Sequence, residues 1–194
     1  TGKAGNALYF NGTDQSIIQI LNPPAAPKSL YDNLKQITLS AWVNVDADAG
    51  TGERYIISKR DSWKQAYILA VNNKKPAYTL YTSAGTISGT ASASIVDGMW
   101  HHLALTFDGT AIKLYVDGVI DTNATKTVAA GTLINDASTL RSVPVRIGGN
   151  GVFLAETDPA APTNYLNLLF KGKIDELLRI SQSFIIAIIR RLYL

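Results

Sequence analysis

Residues 100–118, WHHLALTFDGTAIKLYVDG, leave little choice of local structure. Leu103, Leu105 and Phe107 recur at every second position of one apolar run, and Ile112, Leu114 and Val116 do so in the next. Side chains on an extended strand alternate between faces, so a period of two marks half-buried strands; a helix needs apolar residues at wider spacing. Asp108-Gly109 between the runs tolerates the positive φ of a tight turn, and Asp117-Gly118 repeats that signal at the far end. The stretch reads as a hairpin closed by a second turn.

The pattern recurs from end to end. Strand-like segments fall at residues 8–10, 17–21, 36–44, 54–59, 66–72, 77–82, 86–92, 100–107, 112–117, 119–122, 143–147 and 169–180, with Gly, Asn and Asp in the turns between them. Many short strands of this kind predict a sandwich of two antiparallel sheets, each burying one face and wetting the other. Turn-rich stretches at residues 22–33, 46–52 and 148–167 are candidate binding loops. None has the composition of a linker, so residues 1–194 read as one domain. A chain of 194 residues needs no staple, since one of that size buries roughly 70% of its unfolded surface. Near the end, Ile185, Ile186, Ile189 and Leu192 lie close to one helical stripe, with Arg190 and Arg191 placed to suit a helix C-terminus. One short C-terminal helix packed on the sandwich is expected there.

Composition narrows the function. Charged residues make up 17% and the net charge is +3, so no basic tract points to nucleic acid or an anionic membrane. With no cysteine the chain has neither a disulfide framework nor a thiolate metal site. No apolar run approaches membrane-spanning length, so no membrane insertion is expected. A start at Thr1, without methionine or signal peptide, reads as a domain of a longer protein or a processed product.

Four segments carry a resemblance in order along the chain: residues 7–20 (ALYFNGTDQSIIQI), residues 37–43 with 56–59 (ITLSAWV, IISK), the hairpin at 100–118, and residues 171–180 (KGKIDELLRI). Together they resemble the laminin G-like jelly rolls of the concanavalin A-like lectin and glucanase group. The resemblance spans nearly the whole chain and implies an all-β, two-sheet antiparallel jelly-roll sandwich. Leu177-Leu178 is one residue more than the family pattern after Ile-Asp-Glu, so a β-bulge is expected there.

It also implies a structural calcium. Asn11-Gly12-Thr13-Asp14 resembles the family's F-D-G-x-D, and Asp175 matches the aspartate of its closing G-x-I-D-E. Calcium takes about six to eight oxygen ligands, which paired aspartates and loop carbonyls can supply. The implied set is Asp14 and Asp175 as side-chain ligands, Gly12 as a carbonyl donor, and Asn11 where the family has aspartate. The alternative is that Asp14 only shapes a turn and Asp175 pairs with a cation such as Lys173.

Catalysis finds little support. Glycoside hydrolysis uses two carboxyls about 5 or about 6.5–9.5 Å apart. The family's glucanases carry E-x-D-x-x-E on a strand, and nothing here matches; Glu53, Glu156 and Glu176 are scattered, and Glu156 leads into a Pro-containing loop. His101 and His102 are strand neighbours that diverge, with no nucleophile motif beside them. Sugar binding needs an aromatic platform with polar groups around it. Trp63 is the expected platform, with Asp61 and Tyr67 near it and Asn150 and Tyr165 from the long late loop; Trp42 and Trp100 read as core. The resulting expectation is a non-catalytic, lectin-like module of an extracellular or surface protein that binds a glycan or polysaccharide. The alternative is a protein-interaction or assembly module, such as an adhesin, surface-layer or viral particle component, whose partners are other surface proteins.

Overall fold

The computed structural model describes residues 1–13, 16–20, 34–60, 65–132, 134, 143–149 and 168–180. They form β1 (Leu8–Asn11), β2 (Ile18–Ile20), β3 (Ile37–Val45), β4 (Glu53–Arg60), β5 (Gln65–Asn72), β6 (Lys75–Thr82), β7 (Gly85–Thr90), β8 (His101–Phe107), β9 (Ala111–Val116), β10 (Val119–Thr127), β11 (Val145–Ile147) and β12 (Lys171–Ile180). Each strand overlaps one of the segments read from the sequence. Two six-stranded sheets result, ordered β1-β12-β3-β8-β9-β10 and β2-β11-β4-β5-β6-β7, with antiparallel pairing throughout. The jelly-roll sandwich is therefore the fold. The expected C-terminal helix falls on residues 181–194, outside the described residues.

Alternation builds the core. Leu39, Ala41 and Val43 of β3, Leu103, Leu105 and Phe107 of β8, and Ile112 and Leu114 of β9 face Ile57, Leu69, Tyr78, Leu80 and Val145 of the other sheet. Each fully buried aliphatic or aromatic side chain of this kind contributes about 1.5–3 kcal/mol. At one edge Phe10 meets Phe170 edge to face, with centroids 6.2 Å apart. Gly148 is required beside them: its φ is +82°, and a Cβ there would stand 2.1 Å from the Phe10 ring.

The hairpins follow the turn residues. Asp108 Oδ1 accepts the Thr110 and Ala111 amides at 2.8 and 2.7 Å, which closes the β8–β9 turn. Asp117 and Gly118 both take positive φ, 51° and 80°, as a two-residue turn between β9 and β10 requires. β10 runs beyond the expected residue 122, because its irregularity between Asp121 and Lys126 is closed by Asp121, whose carboxylate accepts the Ser92 amide and hydroxyl and the Ala124 amide. The expected bulge is also present: register shifts between Asp175 and Leu178, with Glu176 at φ 45°.

One expectation fails at the centre of both sheets. Outer faces were to be wet, yet Thr38, Ser40, Trp42, His102, Ala104 and Thr106 of the first sheet are buried on the side away from the core. There Trp42 leans on His102, with ring centroids 5.2 Å apart, and Lys3 Nζ caps the indole at 4.4 Å. On the second sheet a separate cluster of Tyr55, Ile68 and Ala70 is covered by Tyr81 and Leu168.

Candidate functional site

β4 and β11 run antiparallel in the second sheet, so the end of β4 at Arg60 lies beside the start of β11, and the end of β11 at Ile147 lies opposite Ile57, three residues back along β4. Register sets Arg146 opposite Ser58. Arg146 Nη1 donates to the Arg60 carbonyl at 2.7 Å, and Ser58 Oγ donates weakly to the Gly149 carbonyl at 3.3 Å. Two chain segments continue from here, residues 61–64 after the end of β4 and those from 150 onward after Gly149, whose carbonyl lies against the Ser58 side chain two residues before the end of β4. They carry the expected ligand residues Asp61, Trp63, Asn150 and Tyr165, all of which lie outside the described residues.

Arg60 turns back along the outer face of the sheet. Its Nη1 donates to Tyr55 Oη at 2.7 Å, and its guanidinium lies 5.8 Å from the Tyr55 ring centroid. Burial pushes the Tyr55 hydroxyl far above its usual range, against the pull of Arg60. Tyr81 is raised in the same way, again by burial first, with Arg60 and Glu53 facing it. Thr79 and Ser88 share a hydroxyl bond of 3.0 Å farther across the sheet. These groups donate and accept hydrogen bonds at fixed positions but supply no paired carboxylates.

The same absence of reactive pairing holds at the histidines. His101 sits at a rim of the sandwich with Nδ1 2.7 Å from Asp117 Oδ2 and Nε2 3.0 Å from Asp97 Oδ1. Both ring nitrogens meet carboxylates, which favours the imidazolium form, since each nitrogen then donates. Burial opposes that charge, and the hydrogen bonds to Asp117 and Asp97 outweigh it, raising the pKa. His102 points to the opposite face, where burial lowers its pKa. Among the described residues no group of three His, Cys, Asp or Glu side chains is placed to hold a metal.

Two expected sets need correction. Tyr67 is not a loop residue beside Trp63: β5 begins at Gln65, and Tyr67 is fully buried between the sheets, opposite Lys59 and Leu80, with the Arg179 guanidinium 5.6 Å from its ring. It has no face to offer a ligand. The expected calcium set is split by register. Asn11 pairs with Lys171, four residues from Asp175, or about 13 Å along an extended strand. Calcium holds its oxygens at about 2.3–2.6 Å, so one ion does not bridge Asn11 or Gly12 to Asp175. Asp14 lies outside the described residues.

Each of those groups has a local role. Asn11 Oδ1 accepts the Thr13 amide and hydroxyl at 3.0 and 2.7 Å, a turn that Gly12 completes at φ +77°. Asp175 Oδ2 accepts the Lys3 and Ala4 amides at 2.8 and 3.1 Å, and its Oδ1 accepts the Glu176 amide at 2.9 Å. Asp175 therefore pins the N-terminal turn to β12, a role in which the expected Lys173 partner has no part. Sequence reasoning missed Tyr55, Arg60, Tyr81 and Arg146, since nothing in their local pattern says which face of β4, β6 or β11 they occupy.

Comparison with known proteins agrees with this architecture. The structure resembles the binding domain of Paraclostridial mosquitocidal protein 1 (TM-score 0.68, 14% identity, covering 99% of this chain and 44% of that one). It resembles a putative carbohydrate binding protein from Bacteroides ovatus (TM-score 0.62, 18% identity, 91% and 43%). It also resembles domain 4 of an extracellular arabinanase from Geobacillus stearothermophilus, solved with arabinotriose (TM-score 0.57, 22% identity, 92% and 71%). The chain thus spans less than half the length of the first two. No curated protein sequence matches it. The laminin G-like family model of the concanavalin A-like lectin/glucanases superfamily matches residues 22–181, and the chain belongs to that family.

Proposed function

We propose that this domain is a non-catalytic carbohydrate-binding module of an extracellular or surface protein, recognising a glycan or polysaccharide through loops at one sandwich rim or through the concave sheet. The observation that carries the reading is the contact of Ser58 with the Gly149 carbonyl, which holds the chain before Asn150 against β4 two residues ahead of the strand end that leads to Trp63. Sugar rings present apolar C–H faces ringed by hydroxyls, and the tryptophan, aspartate and asparagine that these two segments carry are residue types that suit that chemistry. Neighbours described as carbohydrate-binding or solved with an oligosaccharide support the same class. Recognition here is stacking and hydrogen bonding, with no bond made or broken.

The test is binding of the purified domain to a broad glycan and polysaccharide panel in excess calcium, repeated with chelator. Specific binding that Trp63→Ala abolishes is the expected result; a blank from folded protein overturns the reading. Calcium enters as a structural ion held at one of the two separated places, beside Asp14 or beside Asp175, and not as a bridge between them. A melting temperature of the wild type that is the same in calcium and in chelator removes it; a rise in calcium that Asp14→Ala or Asp175→Ala abolishes supports it.

A second reading, a protein-interaction or assembly module, is favoured by exposed apolar residues on edge strands: Leu8 on β1, Ile18 and Ile20 on β2, and Val119 and Ile120 on β10. Concentration-dependent association of the domain, with no glycan bound, would support it. No helix among the described residues is long and apolar enough to cross a membrane.

A further inference from the structure

Among the described residues, aromatic side chains are almost all put away. Phe10, Trp42, Tyr55, Tyr67, Tyr78, Phe107 and Phe170 are buried, and Trp100, Tyr81 and Tyr115 are partly so. Tyr9 is the one exposed aromatic among the described residues, at 55%. It follows from strand alternation: Phe10 turns into the core against Phe170, so Tyr9 turns out, onto the outer face of the first sheet opposite Lys173.

The ring is tethered at its hydroxyl. Tyr9 Oη donates to Asp46 Oδ2 at 2.9 Å, across 37 positions of sequence, and Asp46 is itself held by a bond from its amide to the Lys171 carbonyl at 3.2 Å. Beside it Lys171 Nζ pairs with Asp48, whose side chain is 74% exposed. Asn11 stands opposite Lys171 on β1, with its Oδ1 occupied by Thr13. A tethered ring thus lies among two carboxylates, an ammonium and an amide, all at the surface. Tethering removes much of the entropy loss that a free tyrosine would suffer on stacking. An apolar face with donors and acceptors at its border is the complement of a pyranose or furanose ring.

We propose that Tyr9, with Asp46, Asp48 and Lys171, forms a second carbohydrate contact at the β1–β12 edge of the first sheet, distinct from the loops that follow β4 and β11 of the second. It rests on the carbohydrate-binding reading and extends it, because two separate contacts let one module grip a longer polysaccharide or two chains at once. Tyr9 supplies stacking, and the Asp48–Lys171 pair supplies an acceptor and a donor to neighbouring hydroxyls.

The experiment uses a panel of defined cello-, xylo-, arabino- and chito-oligosaccharides and their parent polysaccharides, followed by titration of the tightest polysaccharide into wild type, Tyr9→Phe, Tyr9→Leu and Trp63→Ala. Tyr9→Leu is expected to weaken binding by about tenfold and Tyr9→Phe by less than about threefold, since phenylalanine keeps the ring and loses only the tether. Leucine keeps apolar bulk at an exposed position, so melting and circular dichroism should match wild type. Binding by wild type that Trp63→Ala reduces and Tyr9→Leu leaves unchanged overturns the second contact while sparing the first. A blank panel from folded wild type overturns both.

Discussion

Two parts of the first sheet use carboxylates in opposite ways. At the β8–β10 rim Asp117 is fully committed: one oxygen meets His101, the other accepts the His102 amide at 2.8 Å, and its backbone takes the positive φ of the turn. At the β1–β12 edge Asp46 and Asp48 meet Tyr9 and Lys171 in open solvent. The same side chain is a structural rivet where its partners are backbone and a half-buried ring, and a surface group where its partners are side chains that water also reaches. Water competes for the second kind and much less for the first, so only the first should register in stability.

The largest effect should come from Asp117→Ala, which strips His101 and the His102 amide of an acceptor and places alanine at positive φ. A loss of about 2–3 kcal/mol in denaturant unfolding is expected. Asp175→Ala comes next, at about 1 kcal/mol, with faster proteolysis before β1 as the Lys3 and Ala4 amides lose their acceptor. A smaller change should follow pH. His101 has a raised folded pKa, so its contribution is complete below its ordinary value near 6.5 and fades as pH climbs through the raised value. His102, with a lowered folded pKa, acts in the opposite sense and weakens the fold as pH falls below that ordinary value. Unfolding measured from pH 5 to 9 in wild type and His101→Gln separates them: the alkaline decline should vanish in the variant, and its persistence would mean that another group causes it. Asp48→Asn should leave the unfolding midpoint where it is; a clear drop would show that the open edge is riveted after all.

The comparison also explains what could be read from residues alone. Strands were legible because Leu103, Leu105 and Phe107, or Ile112, Leu114 and Val116, repeat at two-residue spacing, and turns because Asp117-Gly118 suits only a narrow backbone geometry. The extra residue at Leu177-Leu178 announced its bulge. Partners distant in sequence were not legible. Asn11 lies against Lys171 and not Asp175 because of a register that no local motif encodes. Leu8, Tyr9 and Phe10 are apolar in succession, so the one that faces out could not be picked. Tyr67 followed Trp63 closely enough to suggest a shared loop, but β5 starts between them and carries Tyr67 inside.

β1 lies beside β12 and antiparallel to it, with Leu8 opposite Ile174, and that pairing has a mechanical meaning. The chain enters β1 and leaves β12 at the same end of the edge. Tension applied from the two sides would therefore load the pair one hydrogen bond at a time, as a zip, and would not shear the whole ladder at once. The first contacts to part would be the Lys3 and Ala4 amides on Asp175. Within a longer chain under pull, β1 should peel away at low force and carry Tyr9 with it, while the sheets behind β12 keep their core.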